Sequence, residues 1–377
     1  MSSLCNFCSE CFFEQFPLSK NPLDCFVCQG KFNSLDSMLK TAAKLLTDSN
    51  SDSFLVSSSL PKEFLVNEDH LFDQKFTSDS RSLKFFLNKV LATRLRDLTH
   101  IKTTRNPLCT VVFDFTNMSV DLVFSDLFIF GRYKKHAPNI SQSRWTCGDC
   151  EGSGCSSCNN VGKNYVSVEE LIGNPSKALS NATEYFLHAS GREDVDVTNS
   201  AGRAFVLELK NAKNHSIDLL SLEKRIALDG LVSVSHLKIV DRGFIEIVTE
   251  SHFDKTYIAD ISFDKDLTDD EIEKILSLIG STLNQRTPHR VKHRRSDLVR
   301  KRKIIDLQLL SFSKNSAKLQ ITAEAGTYIK EFISSDEGRT SPSISELLKS
   351  KSKCEKLEVT KIDDSFLDFV SKSRNAL

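Results

Sequence analysis

The sequence has no excess of either charge: Lys+Arg and Asp+Glu number 50 each in 377 residues. A general polycation is excluded, so any nucleic-acid surface has to come from local clustering of cations. Long apolar runs are also missing. Stretches such as Leu127 to Phe130 fall far short of the roughly 18 residues of a membrane span, and no membrane partner is expected. The opening MSSLCNFCSECFF has neither a basic leader nor a continuous apolar core, so it does not read as a secretory signal. The protein is expected inside the cell, in the cytoplasm, or in the nucleus for a eukaryotic source. No Gly-rich phosphate loop follows a predicted strand, which argues against a doubly wound nucleotide fold. With 40% hydrophobic and 27% charged residues, the chain is ordinary globular material, long enough for two or three domains.

Cysteine is what the sequence has in quantity. Of 11 cysteines, eight fall into Cys-x-x-Cys pairs, and in a reducing compartment such pairing argues for metal rather than disulfides. Cys5/Cys8 and Cys25/Cys28 supply four thiolates on two short turns, the donor set of a structural zinc ribbon. Cys147, Cys150, Cys155 and Cys158 are spaced closely enough to form a second tetrahedral site. The alternative is a Gly-rich connector whose thiols are not all ligated. This string resembles the Cys-x-x-Cys-x-Gly-x-Gly units of J-domain chaperones, but those carry several units and this chain has one.

Periodicity predicts helices over Leu35 to Leu46 and Ser82 to Leu98, a Ser-rich loop from Ser49 to Ser59, and strand-rich runs over Cys109 to Phe115 and Val120 to Tyr133. After Ser167, strands are expected at Glu184 to His188, Arg203 to Lys210, Val232 to Val240, Phe244 to Val248, Lys255 to Ser262, Ile304 to Phe312 and Ala317 to Thr322. A helix is expected from Thr268 to Leu283, opened by a Thr268/Glu271 capping box. The fold class is α+β, with a mixed, mainly antiparallel sheet in the C-terminal part. The expected divisions are a zinc-binding segment (1–32), an α+β domain (33–145), a Gly/Cys-rich connector (146–166) and a catalytic domain (167–377).

Three segments carry the chemistry. Gly191-Arg192-Glu193-Asp194-Val195-Asp196 sets carboxylates and a guanidinium just after a strand, where a loop can hold one carboxylate in a cleft. Asp196 shares its side with Asp194 in extended chain. Arg286 to Lys303 places nine cations in 18 residues against one acid, Asp297, a phosphate-binding footprint that includes Arg286, Arg294, Arg295, Arg300 and Arg302. Arg132, Lys134 and Arg144 form a smaller basic group.

GREDVD resembles the active-site motif of pseudouridine synthases. Gly326-Thr327-Tyr328-Ile329-Lys330-Glu331-Phe332 resembles the strand that supplies the basic partner of their aspartate, and Lys255-Thr256-Tyr257 the position of the stacking tyrosine. SRWTCGDCEGSGCSSCNNVGKNYVSVEELIG, QRTPHRVKHRRSDLVRKRK and GTYIKEFISSDEGRTSPSI, in that order, are similar to the tRNA pseudouridine synthases of the Pus-ten family. The resemblance implies a THUMP-containing tRNA-binding module in the N-terminal part and a catalytic domain after it. It implies Asp194 as the nucleophile, attacking C6 of the uracil or C1′ of the ribose, with Lys330 as its partner and Tyr257 stacked on the base. It also implies a monomer that binds the TΨC arm and acceptor end of tRNA, acts at tRNA position 55 or 54, and needs structural zinc but no redox or nucleotide cofactor. VTNSAGRAFV after Asp196 departs from the family by a shorter loop. A zinc-containing tRNA-binding protein of weak or no activity is the alternative.

Overall fold

The computed structural model describes residues 3–12, 15–74, 82–105 and 107–367, with the side chain of Arg294 outside that set. Two compact units result. One comprises residues 1–126, 181–183 and 210–215, and the other 127–180, 184–209 and 216–377. Among the described residues no helix is long and apolar enough to cross a membrane.

In the first unit, Ser53–Ser59 pairs in parallel with Cys109–Asp114, which pairs antiparallel with Ser119–Phe124. The helices Leu35–Asp48 and Leu83–Thr99 bury Leu39, Ala42, Leu46, Leu87, Leu91 and Leu95 with Phe54 and Val111 of these strands in one core. The cysteines Cys5, Cys8, Cys25 and Cys28 belong to the same core, so the segment read as 1–32 packs with the domain that follows. Ser53–Ser59 was expected to be loop. Serine composition conceals an inward row of Phe54, Val56 and Ser58, all buried, at the period of a strand.

The second unit is built on a ten-stranded sheet in which one pair is parallel, Thr198–Lys210 with Ser352–Ile362, bonded only at Thr198/Glu358 and Asn199/Val359. The other neighbouring pairs along this sheet's strand order are antiparallel. That short parallel contact divides the sheet. Val232–Val240, Leu127–Lys135 and Thr198–Lys210 lie on one side, and Ser352–Ile362, Lys255–Phe263, Ser316–Ala323, Val299–Ser313 and Thr282–Arg286 on the other. Separate cores follow, one around Phe130, Val206 and Phe244, the other around Ala259, Leu319, Ile321 and Phe332. Residues 127–145, grouped by the sequence with the preceding domain, fold here instead. Leu127–Lys135 finds its hydrogen-bond partners in Thr198–Lys210 and Val232–Val240, partners that chain order does not announce.

Three further elements differ from expectation. Phe244–Thr249 is helical, because Phe244 and Val248 are buried four residues apart and Phe244 packs edge-on against Phe130. The helix at Thr268 has its capping box but runs only over Asp269–Leu276. Gly280, at φ +77°, lies beyond its end, and Thr282–Arg286 pairs as a strand with Val299–Lys303. The Gly326–Phe332 segment is a turn leading into the helix Ile329–Ser334, not a strand.

Candidate active site

The loop 190–197 leaves the strand Glu184–Ala189 and re-enters the sheet at Thr198, beside the parallel junction. Its middle is anchored by Glu193. The Glu193 carboxylate accepts from Tyr133 Oη at 2.7 Å, Asn199 Nδ2 at 2.6 Å and Arg203 Nε at 3.1 Å. Burial alone would raise its pKa, but Arg203, Tyr133 and Asn199 hold the carboxyl below its usual range. Arg203 also donates to Ser190 O at 2.8 Å, and Gln142 Nε2 to Gly191 O at 2.8 Å. From the other side Lys135 Nζ donates to Asp194 O at 3.1 Å and Val195 O at 2.8 Å. With its carbonyls and central carboxylate held in this way, the loop fixes the direction of the Asp194 side chain.

That side chain lines a cavity of about 310 Å³, with Tyr257, Arg290, Arg295, Tyr328 and Lys330 around it and Val197, Ile329, Leu357 and Val359 as apolar wall. The pairing of its charges differs from expectation. Arg290 Nη1 lies 2.6 Å from Asp194 Oδ2, whereas Lys330 Nζ is 3.7 Å away and bonds both oxygens of Asp196 at 2.6 Å. Arg290 in turn donates through Nε to Glu331 Oε1 at 2.6 Å. These carboxylates outweigh the burial of the guanidinium and raise its pKa further. Asp196 is lowered: burial opposes its charge, and Lys330 more than compensates. Lys330 therefore reaches both aspartates, and Arg290, read from the sequence only as part of a phosphate footprint, is the close partner of Asp194.

Tyr257 lies on the central strand Lys255–Phe263, buried, where burial pushes its phenol up to about 12. A neutral ring in the cavity wall is suited to stacking. Lys255, on the same strand and also lining the cavity, is pulled down to about 8 by burial, with Arg203 beside it. Tyr328 is held through its backbone by Gln285, which accepts from its N–H and donates to its carbonyl, each at 2.9 Å. Its hydroxyl accepts from Arg295 Nη1 at 3.0 Å.

The family model described as Pus10, C-terminal, matches residues 128–363. Curated proteins named tRNA pseudouridine synthase Pus10 match nearly the whole chain. That of Archaeoglobus fulgidus is 36% identical, covering 89% of this chain and 94% of its own. Those of Korarchaeum cryptofilum and Methanocaldococcus jannaschii are each 35% identical over 90% and 91% of this chain and 92% and 76% of theirs. The chain belongs to the Pus10 family. It is thereby placed among the pseudouridine synthases, which are isomerases. A solved chain of a Cbf5-Nop10-Gar1 complex aligns with 62% of this chain and 58% of its own at 14% identity and a TM-score of 0.33, so membership rests on the sequence match.

Of the cations expected to meet RNA, the structure leaves some on the surface and withdraws others. Arg132 is buried, bonding both oxygens of Asp364 at 2.9 Å and Gly202 O at 3.0 Å. It holds the sheet together and is not placed for phosphate. Arg144 stacks on Tyr185, 4.4 Å from the ring centroid, and pairs with Glu169 at 3.2 Å and Glu184 at 3.1 Å. Lys134, Arg192, Arg286 and Arg295 are exposed, although Arg286 pairs with Asp297 at 2.9 Å. Arg300 and Arg302 are half-buried on the strand Val299–Ser313, Arg300 donating to Thr287 Oγ1 at 2.9 Å. The Arg294 side chain lies outside the described residues.

Both cysteine sets can hold a metal ion. In each, the four sulfurs lie within 4.8 Å of one another. The second set has S···S separations of 3.8 to 3.9 Å, and tetrahedral zinc at about 2.3 Å from each sulfur would require about 3.8 Å. Backbone N–H groups of Gly154 and Gly162 donate to Cys150 and Cys158 Sγ at 3.2 Å, as suits thiolates. Glycine is needed at both places. A Cβ on Gly162 would stand 2.4 Å from Gly152 O, and one on Gly154 2.9 Å from Asn160 O. In the first set Cys5 Sγ and Cys28 Sγ are 3.6 Å apart.

Proposed function

We propose that this chain isomerises uridine to pseudouridine in the TΨC loop of tRNA, at tRNA position 55 or 54, with Asp194 as the nucleophile. The observation that carries the proposal is a carboxylate on a locked loop, facing a nucleoside-sized cavity and ion-paired by Arg290 at 2.6 Å, in a chain of the Pus10 family. Arg290 and Lys330 fix the position of the Asp194 oxygens. Asp194 attacks C6 of the uracil or C1′ of the ribose, and the N1–C1′ bond breaks. The base turns within the pocket and the C5–C1′ bond forms, the bond from Asp194 to carbon breaks and releases the carboxylate, the C5 proton leaves and N1 takes up a proton. Atoms balance without redox or nucleotide cofactor. Tyr257 stacks on the extruded base, and Val197, Ile329, Leu357 and Val359 exclude the water that would let it escape.

The first unit serves in this reading as the THUMP-like tRNA-binding module, and zinc on Cys5, Cys8, Cys25 and Cys28 is structural, as is zinc on the second set. The protein acts as a monomer on the TΨC arm and acceptor end. Pseudouridine mapping in an unmodified tRNA transcript tests the function. Wild-type protein is expected to modify one TΨC-loop uridine. Asp194→Asn is expected to abolish this while tRNA affinity stays within a few-fold, since the change removes a nucleophile and little volume. Activity surviving in Asp194→Asn but lost in Asp196→Asn would transfer the role to Asp196.

A further inference from the structure

Trp145 is the single tryptophan of the sequence, and nothing above gives it a task. It is half-buried, and the Arg192 guanidinium carbon lies over its ring at 4.3 Å from the centroid. Arg192 is exposed, lines the same cavity as Asp194 and stands two residues before it. The stack is thus at the mouth of the cavity and not in a core.

Both partners are fixed from behind. Before Trp145, the Arg144 N–H donates to Glu169 Oε2 at 3.0 Å and the Arg144 guanidinium to Tyr185 O at 2.7 Å. After it, Cys147 N donates to Gly162 O at 2.8 Å, which ties the chain to the Gly/Cys-rich turn. Arg192 is held between Gly191, whose carbonyl accepts from Gln142, and Glu193, whose carboxylate is engaged by Arg203, Tyr133 and Asn199. A planar cation laid on a planar ring, both pre-positioned beside a pocket that takes one base, is a surface for a second base.

We propose that the Trp145–Arg192 stack is a nucleobase platform, which receives the base next to the target uridine when the uridine leaves its neighbours and enters the cavity. The inference rests on the pseudouridine synthase reading above. Drawing one nucleotide out of a strand deprives the adjacent base of a stacking partner, and the platform replaces it. Stacking of this kind does not distinguish bases by their edges, so the platform would contribute to affinity and positioning more than to reading the flanking sequence.

The test uses the full chain carrying Asp194→Asn, so that binding is measured without turnover. The RNAs are an unmodified tRNA transcript and ligated versions carrying an abasic site immediately 5′ or 3′ of the target uridine. Because Trp145 is the one tryptophan, its emission reports on the platform directly. The intact tRNA should change that emission, and one of the two abasic RNAs should fail to do so. Adding Trp145→Ala or Arg192→Met should weaken binding of the intact tRNA about tenfold and leave binding of that abasic RNA unchanged, and Trp145→Phe should restore most of the loss.

An equal loss on intact and abasic RNA would overturn the platform and leave Trp145 as a prop for the loop. If Trp145→Ala does not fold, the emission change and the Arg192→Met comparison decide the matter alone. Pseudouridine formation by wild-type protein is scored on the same transcript. Formation without any base-dependent effect overturns the platform only, whereas neither formation nor binding overturns the reading beneath it.

Discussion

Replacing Arg290 by Met is expected to damage catalysis more than replacing Lys330, although the sequence motif points to Lys330. Arg290 Nη1 is 2.6 Å from Asp194 Oδ2, and Lys330 Nζ is 3.7 Å away with Asp196 closer. Unit charges about 4 Å apart at an effective dielectric constant near 20 interact by roughly 4 kcal/mol. The Asp194 and Arg290 side chains are 28% and 35% exposed, so solvent takes a large share, and about 2 kcal/mol remains. If that interaction positions the nucleophile in the transition state, kcat falls roughly thirtyfold. By the same argument from distance, Lys330 at 3.7 Å retains about 1.4 kcal/mol, and Lys330→Met should cost nearer tenfold.

A second effect must be separated from the first. Glu331 is 4% exposed and loses its partner in Arg290→Met, and an orphaned buried charge costs about 3 to 5 kcal/mol of stability. The double variant Arg290→Met/Glu331→Gln removes that charge as well. It should recover most of the lost melting temperature and none of the lost rate. Single-turnover release of tritium from C5-labelled uridine in a tRNA transcript, at saturating protein, reads the chemical step, and thermal unfolding reads the fold. A rate within threefold of wild type in Arg290→Met, or a larger defect in Lys330→Met, would refute the argument.

Further expectations follow from the same geometry. Metal analysis under reducing conditions should find about two zinc ions per chain. Alanine at Cys150 should remove one of them, whereas freely alkylated cysteines in both sets would contradict the sites. Glu193→Gln should loosen the loop 190–197 by leaving buried Arg203 without its counter-charge, seen as a melting-temperature loss with a fall in kcat, and Glu193→Asp should not recover either. For Lys255, held near 8 in the folded chain against 10.5 ordinarily, the unfolded state binds more protons between those values. Its contribution therefore penalises the fold below about pH 8 and is relieved as pH rises. The stability of wild type relative to Lys255→Met should rise by roughly 2 kcal/mol from pH 7.5 to 9.5 in urea unfolding, and a flat difference would mean that Lys255 titrates normally.

The chain's local chemistry was legible without coordinates. Cysteine spacing, the Thr268/Glu271 box, the amphipathic helices and the order of the GREDVD, QRTPHRV and GTYIK segments are short-range features, and short-range features are what a sequence states directly. Even Arg203 left a trace. It falls in phase with Phe205, Leu207 and Leu209 along Thr198–Lys210, all buried, which marks an inward-facing charge in need of a partner.

Which partner it would meet was a matter for the tertiary fold. Glu193 comes to Arg203 from a loop and is itself held by Tyr133 of a neighbouring strand and Asn199 of Arg203's own, and Arg290 comes to Asp194 from a basic run indistinguishable in composition from a solvated face. Arg132 looked like a surface cation until Asp364, from the far end of the chain, closed over it. Charge pairing is decided by distance in space, where a difference of about 1 Å separates the closer cation of Asp194 from the more distant one. The sequence named the carboxylate, and only the packing of the sheet around one short parallel junction chose the cation that holds it.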